Sequence, residues 1–138
     1  MIRALIALLC LTVPAAALEL DLPATARQTA ERNTEPDVYR APMAAFDGAG
    51  VPSVPIEGQV RRSAWRLDSP GITPLQVMRP LRQQLAQAGF EMALDCAAVT
   101  CGGFDFRFGI ETLPGPNMSV DISAYHFATA VRGSADAP

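Results

Sequence analysis

The chain contains no lysine: all eleven of its cationic side chains are arginine. That absence excludes a phosphate-loop lysine, a Schiff-base lysine and a serine-lysine nucleophile from within this chain. Histidine occurs once, at His126, so a multi-histidine metal site lacks raw material, and the sequence identifies no nucleophile or orienting acid to go with it as a general base. Cysteine occurs three times and tryptophan once. Long apolar runs are missing after the N-terminus, and no later segment approaches the roughly 20 apolar residues of a membrane-spanning helix. A transmembrane barrel needs about eight alternating strands, and only four strand-like stretches can be read here.

What is present begins with the N-terminus. Met1-Ile2-Arg3 supplies a short positive region, Ala4 to Val13 an apolar run, and Ala15-Ala16-Ala17 a small-residue cleavage site, the three parts of a secretory signal. Cleavage is expected after Ala17, leaving residues 1–17 as signal peptide. Acidic residues follow at once in Leu18-Glu19-Leu20-Asp21, so the run reads as a cleavable signal rather than an anchor. Cys10 sits in the middle of the apolar run, without the flanking small residues of a lipoprotein site, and is expected to leave with the signal. The mature chain then holds two cysteines, Cys96 and Cys101, and ten arginines against fourteen acids, a net charge of −4. A weakly acidic chain of this kind does not fit nucleic acid as a partner.

Organisation follows from periodicity. Residues 18–54 are rich in Ala, Pro, Thr and charge with no sustained apolar period, which reads as an extended leader with Tyr39, Met43 and Phe46 as anchors. Residues 55–132 read as one domain and 133–138 as a disordered tail. Ile56 to Leu67 is a first strand whose apolar parity shifts late, suggesting a bulge near Ser63. Thr73-Pro74 with Gln76 is an N-cap, a proline at the first helical position and a capping-box partner. Leu75, Met78, Leu81, Leu85 and Ala88 keep helical spacing, and Gly89-Phe90 is a C-terminal stop. Pro80 predicts a kink or a restart of that helix. Phe90, Met92, Leu94 and Cys96 alternate, as do Phe104, Phe106, Phe108 and Ile110, predicting two strands of a hairpin closed by residues between Cys96 and Gly103. Met118, Val120 and Ile122 open a last strand. The order strand, helix, strand, strand, strand predicts a single small α+β domain, a mostly antiparallel sheet with one helix on a face.

Cys96 and Cys101 admit three readings. An exported pair closing a short loop suits a structural disulfide, stabilising by roughly 2 kcal/mol in the chain-entropy model. A redox pair normally has two intervening residues at a helix N-terminus, not four between strands, and zinc needs four ligands. Arg61, Arg62 and Arg66 concentrate positive charge on the first strand and suit a carboxylate or phosphate of an envelope polymer as well as plain solvation. Asp105 and Arg107, two apart on one strand face, suit a polar pair or a partner contact. His126 reads as a strand histidine near a sheet edge and Trp65 as a core residue. No catalytic residue, cofactor site or metal site is assigned.

Taken together, Tyr39, Glu57-Gly58, Trp65, Thr73-Pro74-Leu75-Gln76, Leu81-Arg82, Ala88-Gly89-Phe90 and the run from Cys96 through Cys101-Gly-Gly-Phe-Asp-Phe-Arg-Phe resemble the N-terminal region of alphaproteobacterial OmpA-family proteins. That region is similar in turn to a domain of unknown function in other secreted bacterial proteins. The resemblance spans Leu18 to Arg132 and is most specific from Cys96 to Phe108. It implies periplasmic or outer-membrane association. The C-terminal OmpA-like domain that binds peptidoglycan in larger members lies outside the stretch that carries the resemblance, so no residue here is expected to inherit that role. The expected function is a non-enzymatic periplasmic interaction module docking on an envelope protein or polymer, the alternative being a thiol-disulfide protein using Cys96 and Cys101.

Overall fold

A computed structural model describes residues 18–133; the expected signal peptide, and the expected tail from residue 134 onward, lie outside the described residues. Four strands and three helices follow the order β1 (Ala26–Pro42), β2 (Ser53–Leu67), α1 (Pro74–Gln87), β3 (Glu91–Ala97), α2 (Ala98–Cys101), α3 (Gly103–Gly109) and β4 (His126–Val131). The fold class is α+β, as expected. Its strands form two separate antiparallel ribbons, β1 with β2 and β3 with β4, rather than one sheet.

The stretch expected to be a leader is therefore the first strand. β1 pairs with β2 from Ala26 opposite Leu67 to Pro42 opposite Ser53. Its sequence hides this because a two-stranded ribbon with water on most of both faces needs no apolar alternation. Two register shifts occur, between Gln28 and Ala30 and between Thr34 and Asp37. Both extra residues lie on β1, so the bulge expected near Ser63 of β2 is across the ribbon instead. Pro36, which has no N–H for the ladder, sits in the second. On β2, Gly58, Val60, Arg62 and Ala64 alternate toward the more buried face, while Trp65 is half exposed rather than a core residue.

The turn joining β1 to β2 is built on Asp47, whose Oδ1 accepts from the amides of Ala49 (2.8 Å) and Gly50 (2.9 Å). Those N–H donors hold the Asp47 carboxyl below its ordinary range. The turn carries Phe46 against the second ribbon, where its amide donates to Cys101 O at 2.8 Å.

α1 begins as expected. Gln76 N–H donates to Thr73 Oγ1 (3.3 Å) and Thr73 N–H to Gln76 Oε1 (2.8 Å), a complete capping box. It ends with Phe90 N–H to Leu85 O and Gly89 N–H to Ala86 O, both 3.0 Å, with Gly89 at φ +82°. These are the two bonds of a Schellman stop. The helix runs unbroken through Pro80. Pro80 is exposed, so water can reach the carbonyl its missing N–H would have paired. α1 has no fully buried residue; it touches β4, and Arg82 pairs with Asp95 of β3.

The expected strand Phe104–Ile110 is helical. Gly102 and Gly103, at φ +116° and +57°, turn the chain into α3, which points Phe106 inward and leaves Phe104 and Phe108 one turn apart outside. β3 finds its partner in β4 instead, from Glu91 opposite Val131 to Ala97 opposite His126. The last strand opens at His126 rather than at Met118, the residues between being irregular. The main core is small: Cys96, Ala98, Cys101, Phe106 and Tyr125, with Phe46, Val51, Leu94, Ile110, Val120 and Phe127 packed around it. Phe106 meets Phe127 edge-on at 5.0 Å and lies nearly parallel to Tyr125 at 6.5 Å.

Candidate functional site

Two surfaces are built by this arrangement. One is the turn α2–α3. Cys96 lies near the end of β3 and Cys101 ends α2, and the two are disulfide-bonded with Cα atoms 5.1 Å apart, as the residue reading favoured. The bond closes a helical turn rather than a hairpin mouth. Ala98 N–H donates to Tyr125 O at 2.9 Å, and the Tyr125 hydroxyl donates to Gly103 O at 2.8 Å, with Ala98 O 3.3 Å away. Burial pushes the Tyr125 phenol above its ordinary range. On this clamped scaffold Val99 is 85 % exposed, Phe104 60 % and Phe108 64 %, and the two rings lie 4.4 Å apart. Three large apolar side chains are thus held out into solvent on the disulfide-closed turn and the short helix that follows it.

The other surface is a groove of about 870 Å³ between the β2 ribbon face and the segment from Ile110 to Phe127. Ile56, Val60, Ile110, Val120 and Phe127 give it apolar walls. At its edge Arg62 is enclosed, its side chain only 11 % exposed. Nη1 donates to Thr34 Oγ1 at 2.9 Å, Nη2 to Asp37 Oδ2 at 3.1 Å, and Nε to Glu111. Glu111, then Asp37, hold this guanidinium charged by raising its affinity for the proton. Asp37 is held below its ordinary range first by the Thr34 hydroxyl, then by the Val38 amide and Arg62. Tyr39, also lining the groove, is pushed up by burial and next by the Glu111 charge.

The arginine cluster expected on the first strand does not come together as one patch. Arg62 is engaged by its own chain's carboxylates. Arg61, on the opposite face of β2, donates to Gln59 Oε1 at 3.1 Å, and Arg66 donates to Asp68 Oδ1 at 3.1 Å, an aspartate that Arg27 also pairs. Asp105 and Arg107 are separated too: on a helix rather than a strand, two residues apart is about 200° around the axis. Asp105 faces solvent, whereas Arg107 is half buried in the groove and donates to Thr112 Oγ1 at 3.0 Å. His126 opens β4 and lines the groove, its Nδ1 buried and without a hydrogen-bond partner among the described residues. Glu111 and Thr112 carried no signal in the sequence, because they matter only through pairings that the irregular segment after α3 brings about.

Among the described residues no three His, Cys, Asp or Glu side chains converge as metal ligands. No described helix is long and apolar enough to cross a membrane. Comparison with family models, with curated proteins and with solved structures finds no match.

Proposed function

We propose that the protein is a non-enzymatic module of the cell envelope, exported to the periplasm and docking on an envelope protein or polymer through the α2–α3 turn. The observation that carries this reading is the clamped apolar cluster. Side chains such as Phe104 and Phe108 cost free energy in water, and an exposed apolar patch held rigid is characteristic of a docking surface. Rigidity matters because little conformational freedom is then lost on binding. The signal-like N-terminus and the disulfide support an oxidising compartment. The resemblance to the N-terminal region of OmpA-family proteins points the same way.

Thiol-disulfide chemistry is the weaker reading. Exchange requires an attacking thiolate to reach a disulfide sulfur, and Cys101 is fully buried with Cys96 nearly so. The docking reading is tested by placing a photo-crosslinking residue at position 104 of the exported protein in its own envelope. A discrete adduct is expected there and not with the same residue at Arg79, which is exposed on α1. Equal labelling from both positions, or none, overturns it.

A further inference from the structure

The groove is apolar along its walls yet retains two polar groups that nothing in the protein satisfies fully. The ionic residues at its Arg62 edge are mutually neutralised, Arg62 lying between Asp37 and Glu111 and Arg32 standing 3.8 Å from Glu111. Arg107 is different. Among the described residues no carboxylate lies within ion-pair distance of it; its single hydrogen bond goes to a neutral hydroxyl, Thr112 Oγ1. His126 also lines the groove, and its buried Nδ1 has no hydrogen-bond partner among the described residues. Leaving such a nitrogen unpaired is costly, and a buried polar atom without a partner calls for an explanation.

We propose that the groove binds a single-chain alkyl carboxylate, its head group on Arg107 and its chain along Ile56, Val60, Ile110 and Phe127. A single half-buried guanidinium without a carboxylate selects one anionic head. Arg107 is the half-buried cation of the groove without a carboxylate, whereas Arg61, which also borders it, is exposed on the far side of β2. The planar guanidinium fork matches a carboxylate in two parallel bonds. The apolar walls select an alkyl chain over a sugar or a nucleotide, and the volume falls within the range of small-molecule sites. Its head-group end borders the docking surface, Arg107 Cζ lying 5.8 Å from the centroid of the Phe108 ring, but the walls along the chain are formed by other residues, so fatty-acid binding is read without reference to docking.

The test is calorimetric titration of the disulfide-intact protein with octanoate, decanoate and dodecanoate below their micelle concentrations, with decanol as the neutral probe. One site is expected, with Kd tightening about fourfold for each added methylene. Arg107→Gln is expected to weaken decanoate at least fivefold and leave decanol unchanged, while Arg79→Gln changes neither. Ile56→Glu, at a partly exposed wall position that tolerates a polar residue, is expected to abolish binding of both and covers the case in which the Arg107 variant misfolds. No binding, affinity independent of chain length, or equal decanoate affinity in the Arg107 variant overturns the proposal. So does association only with phosphatidylglycerol vesicles, which would make the surface a membrane contact instead.

Discussion

Gly102 offers the sharpest test of how the two ribbons are joined. Its φ of +116° is a conformation that L side chains rarely adopt, and a Cβ built there would stand 2.5 Å from Phe46 Cβ. Forcing a non-glycine residue into such a backbone costs on the order of 1–3 kcal/mol. Overpacking a closed contact costs about 1–3 kcal/mol more. Gly102→Ala is therefore expected to lose about 2–6 kcal/mol, a large share of the roughly 5–15 kcal/mol that a small domain has. Gly103 is the internal control. It also has positive φ, +57°, but nothing lies within 4 Å of the added carbon, so Gly103→Ala carries only the backbone cost, about 1–2 kcal/mol.

The partner atom sharpens the prediction. The collision is with Phe46 Cβ and not with its ring, so Phe46→Ala leaves the obstacle standing and Phe46→Gly removes it. Urea unfolding followed by far-ultraviolet circular dichroism, with the disulfide intact, supplies a double-mutant cycle for each pair. Gly102→Ala should couple to Phe46→Gly by about 1–3 kcal/mol and scarcely at all to Phe46→Ala. If Gly102→Ala costs no more than Gly103→Ala, or if alanine at Phe46 rescues as well as glycine, the β1–β2 turn does not dock on Cys101 across Gly102.

Replacing both bridging cysteines, Cys96→Ser with Cys101→Ser, should lower unfolding free energy by about 2 kcal/mol from the released loop alone, and by more because Cys101 lies in the core; a loss below about 0.5 kcal/mol in urea would contradict a structural role. Acid stability should follow the aspartates. Asp37, Asp47, Asp68 and Asp121 all have carboxyls depressed below the ordinary 3.8 by hydrogen-bond donors, led respectively by Thr34, the Ala49 amide, Arg27 and Ser123. The unfolded chain then binds protons first, so their contribution is fully present above pH 3.8 and is lost as pH falls through the depressed values. Thermal midpoints measured downward from neutral pH should hold to about pH 4 and fall below it; a midpoint that stays unchanged far into the acid range, or one that rises, contradicts that network.

What could be read from the sequence was what local chemistry alone determines. The Thr73 capping box, the Gly89 stop and the Cys96–Cys101 bond each depend on residues a few positions apart. β3 was likewise legible from Phe90, Met92, Leu94 and Cys96, although its partner was not. β1 escaped because its more buried positions include Ala26, Ala30, Thr34 and Ala41, small residues that leave no hydrophobic period. α3 was misread for the opposite reason. Phe104, Phe106 and Phe108 alternate without a break, but only Phe106 enters the core, and the pair of positive-φ glycines before them sets a helical turn that periodicity cannot register. The groove was invisible because one wall comes from β2 and the other from the irregular segment after α3, which are far apart in the chain.

The same separation explains why the groove depends on few contacts. The two ribbons share no sheet, and each has its own hydrogen-bond ladder. What fixes the first ribbon against the rest of the chain includes Phe46 N–H on Cys101 O, Thr129 Oγ1 on Pro42 O at 2.6 Å, Thr29 Oγ1 on Asn117 O at 2.9 Å, and the Arg62 pairing with Glu111. The first three use backbone carbonyls, which no side-chain substitution at the accepting residue can remove. The last sits at the edge of the groove, on a glutamate that follows Arg107 closely in the chain and lines the same cavity. The Arg62–Glu111 pair thus ties the first ribbon to the far wall and engages the groove's nearest carboxylate in sequence to Arg107, which pairs with no carboxylate among the described residues.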